Sequence, residues 1–213
     1  MQITRIIAIR HGETDWNVDA RIQGHIDIGL NETGRMQARC VARALGGEPI
    51  QAIYSSDLLR AWETAHTISQ ATGGTLQAHP GLRERHFGVL QGKTFAEIEV
   101  SDPAQALRWR KRDPDWAPQG GESLVEVSER ITRTAFELAE RHMGEQIVLV
   151  AHGGIMDALY RIATRQALQA PRTWKLGNAT INRLLWTPDG LTLVGWSDAR
   201  HLEDDQARDE TST

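Results

Sequence analysis

The sequence predicts an α/β protein: a three-layer α/β/α sandwich around a mostly parallel sheet with an edge hairpin. Three observations predict it. Short apolar runs, Ile3 to Ile9, Ile50 to Tyr54 and Ile147 to Ala151, alternate with stretches whose apolar residues recur at helical spacing. The first run is brief and rich in isoleucine, as a strand buried on both faces of a parallel sheet should be. Near the end, Thr180 to Thr187 and Leu191 to Ser197 are joined by Pro188-Asp189-Gly190, which reads as a hairpin at the sheet edge.

The opening strand stops at Arg10-His11-Gly12. From Asn31 to Leu45 the side chains Met36, Cys40, Val41 and Leu45 mark a helix closed by Gly46-Gly47. After the strand ending at Tyr54, the residues Ser55, Ser56 and Asp57 suit the cap of a helix running to about Ala71, closed by Gly73-Gly74. A weak strand follows near Thr75 to Ala78. Residues 82 to 122 are the least regular stretch, with Pro80, Pro103, Pro114 and Pro118 in or just before them, and are expected to form a lid or cap of loops and short helices. From Ser123, the residues Leu124, Val127, Ile131, Ala135 and Leu138 mark a long amphipathic helix, with Glu126 placed to complete a capping box. The strand at Ile147 to Ala151 ends at His152-Gly153-Gly154, and a helix runs on to about Ala167. One domain is expected over residues 1–200. Residues 201–213, polar and acidic, are expected to be a disordered tail.

The chain has 213 residues, 40% of them apolar and 24% charged, enough to bury a core without disulfides or a structural metal. Twenty-four basic against twenty-eight acidic residues give a net charge of −4, so no global basic field draws it to nucleic acid or an anionic membrane. No apolar run approaches a membrane span, and Met-Gln-Ile-Thr-Arg lacks the apolar stretch of a signal peptide. A lone cysteine, Cys40, can form no internal disulfide, and a cytoplasmic location is expected. His25, His66, His79, His142 and His201 are scattered, and neither His-Glu-x-x-His nor paired cysteines occur, so neither a metal nor another cofactor is expected.

Two strands end alike, in Arg10-His11-Gly12 and Ala151-His152-Gly153-Gly154. Ligands of open parallel sheets bind beyond the carboxyl ends of the strands. Neighbouring strands lie about 4.8 Å apart, so adjacency would put both imidazoles in one crevice. The strand ending at Tyr54 leads to Arg60 on the first turn of a helix, where a guanidinium can grip two phosphate oxygens. Arg10, directly after an apolar strand, is costly to bury without an anionic partner. Arg10, Arg60, His11 and His152 around one crevice read as a site for a tetrahedral dianion.

Arg10-His11-Gly12-Glu13-Thr14 with Asn17 resembles the signature of the histidine phosphatase superfamily, the phosphoglycerate mutase-like proteins. The resemblance extends through Gln23-Gly24, Ser55 to Ala61 with Thr64-Ala65, Glu84 with Gly88 and Gly92, and Ala151 to Gly154, covering roughly residues 3 to 197. It implies the phosphoglycerate mutase-like fold and a small phosphorylated metabolite as substrate. It also implies that His11 is the nucleophile of a phosphohistidine intermediate. Arg10, Arg60, His152 and Asn17 would hold the phosphoryl oxygens, with Gln23, Gly24 and Gly153 completing the phosphate site. Glu84 would protonate the leaving alkoxide and then activate water, which requires it to keep a proton through burial or the bound phosphate's charge. The family needs no metal for this.

Glu84 to Gly88 with Gln91-Gly92, and Trp109-Arg110, resemble the mutase branch. The missing proline run after that segment, and Gly120-Gly121-Glu122-Ser123, resemble the phosphatase branch instead, which is the expectation here. A 2,3-bisphosphoglycerate-dependent mutase is the alternative, and a silent phospho-ligand binder a second. Trp62 stands where several relatives place another arginine. Trp109 and Trp116 either line the cap over a substrate pocket or pack loops. The cluster Arg108 to Arg112 is either a solvated helix face or a grip on an anionic substrate end. Gly88 to Thr94 is one residue short of a nucleotide P-loop and has no buried strand before it. A homodimer could form through the edge hairpin.

Overall fold

The computed structural model describes residues 3–203. Six strands form one sheet in the order β3-β2-β4-β1-β5-β6. They are β1 (Thr4–Arg10), β2 (Ala52–Ser55), β3 (Thr75–Ala78), β4 (Gln146–Ala151), β5 (Ile181–Thr187) and β6 (Gly190–Asp198). The first four run parallel; β5 is antiparallel to β1, and β6 to β5. The hairpin stands at the edge, as its turn residues foretold.

Alternation along each strand sorts the core into two faces. Ile6, Ala8, Leu149 and Ala151 meet α6 (Leu124–Glu140) and α7 (Gly153–Thr164), burying Val127, Ile131, Leu138, Ile155 and Leu159. Ile7, Ile9, Val148 and Val150 meet α2 (Glu32–Leu45) and α3 (Leu59–Thr72), burying Val41, Leu45, Ala61, Ala65 and Ile68. Two apolar faces on one sheet require helices on both sides, and this makes the three layers. No helix among the described residues is long and apolar enough to cross a membrane.

Two helices start as their sequences say. Asn31 caps α2, and Ser123 with Glu126 forms a full capping box on α6. The start of α3 differs. Its cap is Leu58, which has no side-chain oxygen, and the Leu59 N–H is taken at 2.7 Å by Asp27 from a distant loop. Asp57 is instead held by Arg83 at 2.5–2.7 Å. Helix α7 ends at Thr164, short of Ala167, because Arg165 turns left-handed and Arg161 binds the Ala167 carbonyl. The expected disordered tail also begins too early: residues 200–203 are helical and Leu202 packs against the second core face. The rest of that tail lies outside the described residues.

After α1 (Asp15–Val18), which follows the first strand, the cap is built from a single 3-10 turn (Gly88–Leu90), α4 (Phe95–Ser101) and α5 (Pro103–Arg110). It has a small core of its own, with Leu90, Ile98, Ala106 and Trp116 buried against Ile22, Phe87, Phe95 and Trp109.

Candidate active site

Strands β1 and β4 are adjacent, with Arg10 opposite Ala151, so His11 and His152 leave the sheet side by side. Their buried rings lie 5.1 Å apart. Nδ1 of His11 bonds the Gly12 carbonyl at 2.7 Å. A carbonyl only accepts, so the proton sits on Nδ1 and Nε2 carries the lone pair. Burial, then Arg60 and Arg10, push the His11 imidazole well below its ordinary pKa. Burial and the same two arginines act on His152, with His11 adding to them. Both rings are neutral at physiological pH. Gly12 makes the close approach possible: a Cβ there would come within 2.4 Å of the Gly34 carbonyl oxygen at the start of α2.

Arg60, second residue of α3, reaches under the loop after α1 and donates to the carbonyls of Gly24 at 2.8 Å and Ile26 at 3.0 Å. Burial holds its pKa down to about 10, with Glu84 and Asp27 opposing. Arg10 donates to the Leu176 carbonyl. Among the described residues, Nε of Arg10, Nε of Arg60 and both ring nitrogens of His152 are buried without a partner. A buried donor left unpaired costs about 1–3 kcal/mol, and their convergence marks a place made for an anion. The adjoining cavity, about 160 Å³, is lined by Arg10, His11, Asn17, Gln23, Gly24, Arg60, Glu84, Phe87 and Trp109 among others.

Each remaining predicted residue can be placed. Asn17 Oδ1 is occupied by Thr14 and by Asn178 Nδ2, which leaves the Asn17 amide N–H₂ as its free donor. Gln23 has a buried, unpartnered Oε1; turning the amide over presents N–H₂ to a phosphate oxygen. Gly24 is left-handed (φ 54°), and Gln91 fills the space a side chain would need. His152 is fully buried, its ring 5.1 Å from that of His11, and it is not among the residues lining either cavity. Gly153 lies on the wall of a second, adjoining cavity, away from the lining of the first. Trp62 lines neither.

Glu84 is fixed from both sides. Its carboxylate accepts the Gly154 N–H at 3.0 and 3.1 Å and the Arg85 N–H at 2.8 Å. Its backbone carbonyl accepts His25 Nε2 at 2.7 Å. Arg130 donates to the carbonyls of Gly81 and Arg83 and pairs with Glu122, whose Oε2 takes the His86 N–H at 2.8 Å. Reading the sequence missed this support. Glu122 was visible only as part of Gly-Glu-Ser, and His25 and Arg130 gave no signal. Asn178 bonds the carbonyls of His11 and Gly12 as well as Asn17.

The whole stretch from residue 6 to 199 matches the model of the histidine phosphatase superfamily, branch 1. The chain belongs to the histidine phosphatase superfamily. It is 40% identical to phosphoglycerate mutase-like protein 4 of Arabidopsis thaliana, over 93% of this chain and 87% of that one. It is 38% identical to the metal-independent phosphoserine phosphatase of the same plant, over 94% and 84%. The solved mycobacterial glucosyl-3-phosphoglycerate phosphatase with VO3 superposes with a TM-score of 0.83 at 37% identity, over 92% of this chain and 99% of that one. These relatives set this histidine phosphatase on the phosphatase branch of the superfamily and give its fold as phosphoglycerate mutase-like.

Proposed function

We propose that this domain, residues 1–200 with 82–122 as its cap, hydrolyses the phosphomonoester of a small phosphorylated metabolite through a phosphohistidine on His11. The observation that carries the reading is the tautomer of His11: neutral, with Nδ1 tied to Gly12 and Nε2 left as the nucleophile at an anion-shaped cavity.

In the first step Nε2 attacks phosphorus, the P–O bond to the alcohol breaks, and Glu84 gives its proton to the departing oxygen. In the second, the Glu84 carboxylate takes a proton from water as that water attacks phosphorus, the P–N bond breaks, and inorganic phosphate leaves. Arg10 and Arg60 supply the positive charge that metal ions supply in kinases. Asn17, Gln23, His152 and the backbone at Gly24 and Gly153 complete the hold on the oxygens. The partner is the metabolite rather than nucleic acid or a membrane, in keeping with a net charge of −4. Cys40 is buried, which suits a reducing compartment such as the cytoplasm.

The test is turnover of p-nitrophenyl phosphate and 3-phosphoglycerate in the presence of a chelator, wild type against His11→Ala, following phosphate and 2-phosphoglycerate. Phosphate release should fall by about 10³-fold or more in the variant. Activity surviving in it removes His11 as nucleophile. Isomerisation that depends on 2,3-bisphosphoglycerate and frees little phosphate makes the protein a mutase. Phosphate affinity without turnover, unchanged in the variant, makes it a binder.

A further inference from the structure

Helix α3 runs for 14 residues, yet its cap, Leu58, has no side-chain oxygen to offer the N–H groups of the first turn. Asp57, the nearest local carboxylate, is spent on Arg83. The missing acceptor comes from residues 24–30, the loop that leaves the phosphate cavity at Gly24. Asp27 Oδ1 accepts the Leu59 N–H at 2.7 Å, and one turn on, Glu63 Oε2 accepts the Leu30 N–H at 3.2 Å. In return, Arg60 donates to the carbonyls of Gly24 and Ile26 at 2.8 and 3.0 Å. Loop and helix are cross-tied, and most of the ties fall on two consecutive residues, Leu59 and Arg60.

What this frame holds is Arg60. Its Nη1 and Nη2 are spent on the loop carbonyls, and its Nε is buried without a partner, at a cavity shared with His11, Gln23 and Gly24. The orientation of that remaining donor depends on where residues 24–27 sit against the first turn of α3. The loop has little shape of its own: the Ile26 N–H turns back on the Gln23 carbonyl at 3.0 Å, and the His25 N–H goes to Gln91 at 2.8 Å. A loosened frame lets a long, flexible guanidinium side chain sample orientations that do not meet the anion. Asp27 is exposed whereas Arg60 is 1% exposed, so the carboxylate reaches the guanidinium through the backbone it ties down. Its charge is also felt at Arg60, where Glu84 and then Asp27 oppose the lowering by burial.

We propose that Asp27 is a positioning residue for Arg60: by capping α3 from the loop, it locks residues 24–27 to the first turn and fixes the guanidinium that grips the phosphoryl group. This rests on Arg60 as a phosphate ligand in the reading above. The sign of the effect is distinctive. Asp27 is an anion near an anion site, so Coulomb's law alone has its removal tighten phosphate binding. Loss of a positioning bond weakens it.

Calorimetric binding of inorganic phosphate and turnover of p-nitrophenyl phosphate test this on wild type, Asp27→Ala and Asp27→Asn. Asp27→Ala should raise the phosphate Kd by about 5- to 10-fold, the scale of a lost cap bond. Its kcat/KM should fall at least as far, since Arg60 holds the same oxygens in the transition state. Asparagine keeps an oxygen for the Leu59 N–H and should leave Kd within about twofold of wild type. Glu129→Ala, which removes an equal charge from an exposed position on α6, should also leave it within about twofold. A Kd that Asp27→Ala leaves unchanged or tightens overturns the proposal whatever happens to the melting temperature, because a cap that serves stability alone behaves in that way. Equal losses in Asp27→Ala and Asp27→Asn overturn it too, since the charge and not the bond would then matter. If wild type binds phosphate and turns nothing over, the phosphatase reading fails, and Asp27 is judged on Kd alone. Wild type that takes up no phosphate removes the anion site and this proposal with it.

Discussion

At the scale of single residues, the site depends on a few close approaches between backbone and side chain. Glu84 is the sharpest case. Gly154 N–H holds both carboxylate oxygens, and a Cβ on Gly154 would stand 2.4 Å from Oε1. Gly154→Ala puts a methyl where the carboxylate rests, while the helical backbone accepts alanine readily. Glu84 must move by roughly 1 Å, a misplacement that costs about 10²-fold when the group acts in the transition state. The expected result is kcat down by about 10²-fold with stability within about 1 kcal/mol of wild type. The loss should be larger on alkyl phosphates, whose leaving group needs the proton, than on p-nitrophenyl phosphate. Steady-state kinetics on both substrates, with a thermal melt, check it. Equal losses on both would remove Glu84 as the acid.

At the scale of elements, Asp157 joins three pieces of chain. From α7 it accepts Arg161 and Arg112; Arg161 runs on to the carbonyls of Ala167 and Ala170, and Arg112 to that of Leu168. The cap is thereby fastened to α7 and to the loop that follows it. Asp157→Asn leaves Arg161, 2% exposed, without its counter-charge. Breaking such a pair from one side costs about 3–5 kcal/mol, to be read as a shift in urea midpoint. A loss under about 1 kcal/mol would mean that the carbonyls alone hold Arg161. This network also shows what a sequence can and cannot disclose. Strands, helix caps such as Ser123-Glu126 and the two His-Gly ends were legible because they are local: period, cap chemistry and turn residues lie within a few positions. The start of α3 was misread because its capping carboxylate, Asp27, is 32 residues from the N–H it binds. The support of Glu84 by His25 and Arg130, and the pairing of Arg112 with Asp157, depend on contacts that only the closed fold creates. The resemblance named the candidate catalytic groups; it said nothing of what holds them.

At the scale of the whole molecule, the buried histidines couple the site to global stability through pH. Unfolded, His11 and His152 each take up a proton near the ordinary value of about 6.5. Folded, both are held well below it by burial and by Arg60 and Arg10. Below about pH 6.5 the unfolded chain thus binds more protons than the folded one, and stability falls as pH falls. Each ring contributes a slope of up to about 1.4 kcal/mol per pH unit until the folded ring itself titrates. Half-buried His25, lowered chiefly by burial, adds a smaller part in the same direction. The carboxylates held low by arginine, Glu48 by Arg183, Asp57 by Arg83 and Asp198 (to about 2) by Arg200, give up their stabilisation only below about pH 4.5. The window between about pH 5 and 6.5 therefore belongs to the histidines. Urea unfolding across it should show stability dropping with acidity, and His152→Asn should reduce that slope by about 1.4 kcal/mol per unit whatever it does to stability at pH 7.5. Parallel slopes in the two proteins would mean that ring 152 takes up its proton equally in both states. Burial and the field of Arg60 and Arg10 would then be too weak together to keep a neighbouring imidazole neutral, and the unprotonated Nε2 proposed for His11 would lose its physical basis.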